Sequence, residues 1–253
     1  MAEDGLTGRV AFLTGAGSGM GRETALALGR AGCTVAITDL NGDAANAVAR
    51  EIGNRARGYA LDVTNSRAVD DAVAAAERDL GPIDCLSTFA GIYQVKKAEE
   101  ITDSDWARMF AVQVNGTFHA CRAVLRGMVK RKSGAIVTTS SIHALRGQGD
   151  AAHYAAAKGA ILSFTKSIAR EKAPLGIRAN SIAPGPIDTP MWREGRSGRE
   201  LDEAKAGRSK IIPMGRLGEA NEIAPMVVFL LSPAASYITG ACMVLDGGEL
   251  MSA

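Results

Sequence analysis

VAFLTGAGSGMGRETALALGRAGCTVAITDL, residues 10–40, contains two short apolar runs, VAFLT and VAIT, separated by a glycine cluster and an alanine- and leucine-rich stretch. The runs have the length and composition of buried strands. Between them, GRETALALGRAG puts apolar side chains at helical spacing and stops at glycine. The unit reads as strand, turn, helix, strand. Its turn holds Gly15, Gly17, Gly19 and Gly21, with Ser18 and Met20 among them. Glycine permits positive φ and close backbone approach, and the free N–H groups of a helix start favour a pyrophosphate. The spacing is T-G-x-x-x-G-x-G, which misses strict G-x-G-x-x-G in every register, and no G-K-S/T follows to make a P-loop. Asp39 closes the second strand 18 residues after Gly21, where a carboxylate can accept hydrogen bonds from an adenosine ribose. A 2′-phosphate would meet that charge, and neither Ser18 nor Leu40 offers a compensating cation, so NAD is expected over NADP. The plainer role for Asp39 is to cap a turn.

The same alternation continues through GYALDV (58–63), IDCLST (83–88), AIVTTS (135–140), IRANSIA (177–183) and CMVLD (242–246). Helical-period segments such as DAANAVAREIG and AVDDAVAAAERDLG lie between. Repeated βαβ units predict an α/β protein: one domain over residues 1–253, with a doubly wound parallel sheet of seven strands and helices on both faces. Asp62, in the third run, has a plainer role as the cap of a helix beginning near Ser66. One segment breaks the rhythm. TPMWREGRSGRELDEAKAGRSK, 189–210, is rich in arginine and glycine; it is either a solvated excursion or, overhanging the carboxyl end of a strand, a substrate lid. The lid is the expectation.

Composition narrows the function classes. Of 253 residues, 47% are hydrophobic, and 29 Lys+Arg against 27 Asp+Glu leave a net charge of +2. Without basic runs or basic–aromatic interleaving, no nucleic-acid partner is expected. Cys33, Cys85, Cys121 and Cys242 form no C-x-x-C pair and have no histidine at ligand spacing, so free thiols and no metal site are expected. MAEDGLTGR begins acidic and lacks the pattern of a secretory signal. MVVFLL, 226–231, is far short of the roughly 20 residues that cross a bilayer. A soluble cytoplasmic protein is the expectation.

SSIHALRGQGDAAHYAAAK, 140–158, concentrates the chemistry. Ser141 with His143 or His153 suggests an activated nucleophile, whereas Tyr154 with Lys158 suggests a tuned proton donor. No G-x-S-x-G elbow occurs to support a hydrolase. Tyr154 and Lys158, four apart, share one face of a helix beginning near Asp150. For Tyr154 to exchange a proton near neutrality, its reference pKa of about 10 must fall by two or three units, roughly 3 to 4 kcal/mol. A nearby Lys158 ammonium and a positive nicotinamide ring would act in that direction.

With T-G-x-x-x-G-x-G at 14–21, Y-x-x-x-K at 154–158 and a serine 13 residues before the tyrosine, the chain resembles the short-chain dehydrogenase/reductase family. The likeness extends over LDV (61–63), V-N-G with Asn115, APGPIDTPM (183–191) and ITGACMVLDGG (238–248). It implies a Rossmann-like sheet, a homodimer or homotetramer, and a tetrad of Asn115, Ser141, Tyr154 and Lys158. In that scheme Tyr154 is the acid/base, Lys158 holds the nicotinamide ribose, Ser141 orients the substrate oxygen and Asn115 supports a water relay. The implied cofactor contacts are Gly15, Ser18, Gly19, Met20, Gly21, Asp39, Leu40, Asp62, Val63, Thr88, Ala90, Gly91, Ile187 and Thr189, besides Tyr154 and Lys158. His143, Gln148, Tyr93 and Trp192 are the expected substrate contacts, while His153 reads as an ordinary helix-start residue and His119 as packing or interface. The family's N-N-A-G is here T-F-A-G, so Phe89 is expected to repack against apolar neighbours.

Among relatives, the chain resembles both 3-oxoacyl carrier-protein reductases and NAD-dependent alcohol, sugar-alcohol and cyclic-alcohol dehydrogenases. Asp39, and Leu175 where those reductases often place an arginine, favour a small or cyclic secondary alcohol. Lys130, Arg131 and Lys132 keep some basic character for carrier-protein docking, and Arg193, Arg196, Arg199 and Arg208 leave an anionic or CoA-linked substrate open, so 3-oxoacyl carrier-protein or 3-oxoacyl-CoA reduction is the alternative. A non-catalytic cofactor-sensing protein is the remote alternative, and an unbroken tetrad argues against it.

Overall fold

The computed structural model describes residues 5–252. Strand β1 (Val10–Thr14) leads through the glycine turn into α1 (Gly19–Arg30), then β2 (Thr34–Asp39), α2 (Gly42–Ile52), β3 (Ala56–Ala60), α3 (Ser66–Leu80) and β4 (Ile83–Thr88). The second half runs α4 (Asp103–Phe110), α5 (Gly116–Arg131), β5 (Gly134–Thr139), α6 (His143–Arg146), α7 (Ala152–Lys172) and β6 (Ile177–Pro184). It continues with β7 (Ile187–Asp188), α8 (Pro190–Arg193), α9 (Gly198–Ser209), β8 (Gly218–Glu219), α10 (Ala220–Leu231) and β9 (Cys242–Leu245).

Seven strands form one parallel sheet in the order β3-β2-β1-β4-β5-β6-β9, as the repeated βαβ pattern predicts. Side chains alternate across it. Ala11, Leu13, Val35 and Ile37 face a core completed by α1, α2 and α10, while Val10, Phe12 and Ala36 face one completed by α3, α5 and α7. Near-continuous apolar strands are what a sheet buried on both faces requires. The element boundaries differ in one useful place: β3 ends at Ala60, so Leu61 to Val63 lie beyond the sheet edge. Asp62 does not cap the next helix. Its Oδ1 accepts from the Thr64 amide and hydroxyl, and Asn65 caps α3 by accepting from the Ala68 amide at 3.1 Å. The cap thus falls on the residue immediately before the helix, where a side-chain oxygen reaches the third helical N–H.

Residues 189–210 fold as two helices, α8 and α9, beside the additional two-stranded parallel pair β7–β8. Asp188 receives both Arg193 and Lys205, and Arg208 pairs with the buried Glu249. These ion pairs tie the segment to the body. No helix among the described residues is long and apolar enough to cross a membrane.

Candidate active site

Sheet order reverses between β1 and β4, so the loops leaving their carboxyl ends diverge and open a crevice. A cavity of about 510 Å³ lies over the glycine turn. Another of about 430 Å³ adjoins it, and Met20, Phe89, Gly91, Thr189 and Met191 border both. Gly15, Ser18, Gly19, Met20, Gly21, Asp39, Leu40, Asp62, Val63, Ala90, Gly91 and Thr189 line the first; Ile187, Tyr154 and Lys158 line the second. Thr88 lines neither. It ends β4 with its hydroxyl buried, and side-chain alternation along a strand turns it away while Phe89 borders both cavities. Phe89 also packs against the apolar core on the α1 side, as its replacement of a polar residue predicts.

The turn is built for close approach. Gly15 and Gly19 have φ of +64° and +52°, and a Cβ at Gly21 would stand 2.3 Å from the Gly15 carbonyl oxygen. Helix α1 can begin this near β1 only without side chains there. Asp39 Oδ2 accepts from the Gly17 amide at 2.9 Å and Oδ1 from the Asn41 amide at 2.9 Å, so it holds the turn and also presents its charge at the cavity. A dinucleotide fits this arrangement: the groove has two compartments, a helix N-terminus, and a carboxylate at one end.

At the other end, α7 carries Tyr154 and Lys158 one turn apart on the face toward β5. Lys158 Nζ donates to the Thr139 carbonyl at 2.9 Å and lies 5.6 Å from the Tyr154 ring centroid. Burial without a paired carboxylate pushes its ammonium down to about 7. Ser140 and Ser141 both border the cavity, but the Ser140 hydroxyl donates to the Lys158 carbonyl at 2.9 Å, fastening the helix to the strand end, which leaves Ser141 as the serine beside Tyr154. The His143 amide donates to Ser141 Oγ at 3.2 Å, which leaves the serine proton for Tyr154. Burial nonetheless pushes Tyr154 up to about 12, with the Ser141 hydrogen bond acting downward. The lowering expected from neighbouring charge is therefore absent from the protein's own groups: Lys158 is itself near its midpoint at neutral pH.

Asn115 does not join them. It is exposed and borders neither cavity. A π-helical turn over Ala111–Asn115 joins α4 to α5, and the residue it directs inward is Gln113, 1% exposed, whose Nε2 donates to the Ile92 carbonyl at 2.7 Å. Residues two apart on a helix point to nearly opposite sides, so Gln113 and Asn115 cannot both face the crevice. Gln113 borders the same cavity as Tyr154, and its buried Oε1 has no partner among the described residues. Periodicity carried the signal: Met109, Gln113, Gly116, Thr117 and Ala120 form the buried stripe, and Asn115 lies off it.

All four expected substrate contacts border the second cavity. Tyr93 meets Tyr154 edge-on at 5.0 Å, and His143 lies 6.2 Å from it, ring to ring. Burial first, then the Arg146 charge, push His143 down, which favours its neutral form. Gln148 donates to Asp150 at 2.6 Å. His153 is fully buried against Gln94 at 3.0 Å, and His119 meets the Val63 carbonyl at 2.9 Å; both are structural. Arg108, which borders the first cavity, was not among the expected contacts; of the four arginines that leave an anionic substrate open, Arg196 and Arg208 border the second cavity and Arg193 and Arg199 do not. The inward direction of Arg108, Arg196 and Arg208 depends on tertiary packing.

A family model described as enoyl-(acyl carrier protein) reductase matches residues 15–249. The chain is 36% identical over 246 residues to 3-oxoacyl-(acyl-carrier-protein) reductase FabG of Vibrio harveyi, covering 97% of this chain and 99% of that one. It is 40% identical over 246 residues to galactitol 2-dehydrogenase (L-tagatose-forming) of Cereibacter sphaeroides, covering 96% and 95%. The structure of 3-ketoacyl-(acyl-carrier-protein) reductase from Brucella melitensis complexed with NADH superposes with a TM-score of 0.89 at 32% identity, covering 97% and 99%. Fold, crevice and these likenesses agree: the chain belongs to the short-chain dehydrogenase/reductase family and is an oxidoreductase.

Proposed function

We propose that the protein transfers a hydride between NAD(H) and a secondary alcohol or its ketone, with Tyr154 as acid/base. The observation that carries this is the groove itself, in which the glycine-turn cavity opens directly onto Tyr154, Ser141 and Lys158. A bound dinucleotide would supply the hydride acceptor or donor. In the oxidative direction the alcohol proton would pass to ionised Tyr154 while the hydride goes to the oxidised nicotinamide; reduction would run the reverse. Ser141 would orient the substrate oxygen, and Lys158 would hold the ribose. Gln113, not Asn115, is the group read as bracing the proton path, since it borders the cavity of Tyr154 and Lys158 and its buried Oε1 has no partner among the described residues. Bringing the Tyr154 phenol from about 12 to neutral pH takes ~7 kcal/mol of phenolate stabilisation, so most of it must come with the bound cofactor and substrate.

The Asp39 carboxylate supports NAD over NADP. The Brucella relative with NADH removes cofactor preference as an argument against acyl thioesters, so substrate choice rests on other features. Arg131, one of three cations considered for carrier-protein docking, is engaged by Glu77 and the Ile83 carbonyl. Leu175 packs against the apolar core. Both favour a small alcohol, with acyl thioester reduction as the second reading. Four unpaired cysteines support a cytoplasmic setting, and the α8–α9 segment is read as the substrate lid. The test is a panel of secondary alcohols, polyols and 3-hydroxyacyl thioesters with NAD and NADP in parallel. NAD-linked oxidation of small alcohols is expected; preference for acyl thioesters with NADPH overturns the assignment.

A further inference from the structure

The four arginines of residues 189–210 have different fates. Arg193 pairs with Asp188 and Arg199 with Glu203, both on the exposed side. Arg208 turns inward to Glu249, but Glu249 also receives Arg146, so two guanidiniums share one buried carboxylate. Arg196 has no carboxylate partner among the described residues. It donates to the Trp192 carbonyl at 2.6 Å and stacks over the Trp192 ring at 5.2 Å. Arg196 and Arg208 both border the cavity of Tyr154.

Stacking on an indole and one carbonyl hydrogen bond fix the plane of Arg196 while leaving most of its five N–H donors unused. A half-buried guanidinium held this way is preorganised for a bidentate anion. The surrounding balance has the right sign. Among the described residues, the cations Lys158, Arg196 and Arg208 border the cavity against the single carboxylate of Asp150, and Arg146 reaches Glu249 beside Arg208. The charges reach the reacting end: Tyr93, which packs against Tyr154, is pushed up by burial and then by the Asp150 charge, with Arg208 and Arg196 acting in the opposite direction.

We propose that the substrate is a secondary alcohol or ketone carrying an anionic group, a carboxylate, sulfonate or phosphate, which Arg196 binds beneath the lid with Arg208 beside it. The proposal rests on the dehydrogenase reading and names its substrate class. An alcohol of this kind places its carbinol at Tyr154 and its charge at the far end of the same cavity.

The experiment compares NAD-linked oxidation of hydroxy acids of increasing chain length with their methyl esters. One carboxylate held by a charge-assisted pair predicts that the acid exceeds its ester in kcat/KM by about 10- to 100-fold at the best length. Arg196→Ala should collapse that acid-to-ester ratio, Arg196→Lys should restore part of it, and Arg199→Ala should leave it in place. Separately, in a Trp106→Phe background, the acids should perturb Trp192 fluorescence and their esters should not. Acids no better than esters at every length, with no fluorescence response, overturn the anion site while leaving the dehydrogenase reading intact. Saturable, Arg196-dependent anion binding without turnover of any alcohol upholds the site and overturns the reaction.

Discussion

Lys158 is a cation buried without a carboxylate, and its titration has a sign that can be checked. Its folded pKa of about 7 lies below the ordinary lysine value of 10.5, so between those values the unfolded chain binds more protons than the folded one. Stability contributed by this group therefore rises with pH from about 7 upward, by at most about 1.4 kcal/mol per pH unit. Urea unfolding between pH 7 and 9.5 should show wild type gaining stability relative to Lys158→Met; parallel curves would contradict the buried, unpaired ammonium. The window stops below pH 10, because Tyr154, raised to about 12, contributes with the opposite sign above it. Gln113 supplies the second test at this scale. Gln113→Leu should lower kcat by 10²- to 10³-fold and shift the pH profile, with Gln113→Asn partly restoring both, while Asn115→Ala should change kcat less than twofold. A large loss at Asn115 would return the role to that position.

The glycine turn and α1 act as one element. A Cβ at position 21 would sit 2.3 Å from the Gly15 carbonyl oxygen and 2.8 Å from Ala16 Cα, and backbone cannot give way there as a flexible side chain can. Gly21→Ala should therefore push α1 from β1, lower Tm, and weaken NADH binding at least tenfold in a fluorescence titration. Tightened or unchanged binding would show that the turn tolerates separation. Existence of this element was legible in residues 10–40, because strand, glycine and helix signals are all local. The π-helical turn at Ala111–Asn115 was not. No short-range signal marks an extra residue in a helix, and the correct inward residue emerges only from the longer stripe Met109, Gln113, Gly116 and Ala120.

At the scale of the molecule, strand order β3-β2-β1-β4-β5-β6-β9 brings the ends of β1, β4, β5 and β6 to one side, so residues as distant as Gly19 and Thr189 border one cavity. Trp106 on α4 and Phe118 on α5 remain 45% and 39% exposed, and Phe118 meets Phe164 of α7 at 6.0 Å. Exposed aromatic side chains of this kind are where we propose that a homodimer or homotetramer closes. Light scattering should find an oligomer for wild type and a smaller species for Phe118→Arg. A wild-type monomer would contradict the expected assembly.

The sequence alone determined the seven-stranded α/β plan, the glycine turn, Asp39 at a strand end, and the Tyr154–Lys158 pair, because each is a pattern of neighbours one strand or one helical turn apart. Tertiary structure decided what depends on direction and distance. It put Gln113 in the crevice and left Asn115 outside, turned Thr88 away from the glycine-turn cavity, and sent two of the four arginines of residues 189–210 inward. It also set the direction in which Tyr154 and Lys158 are shifted, since burial raises the one and lowers the other, and burial is a property of the packed chain.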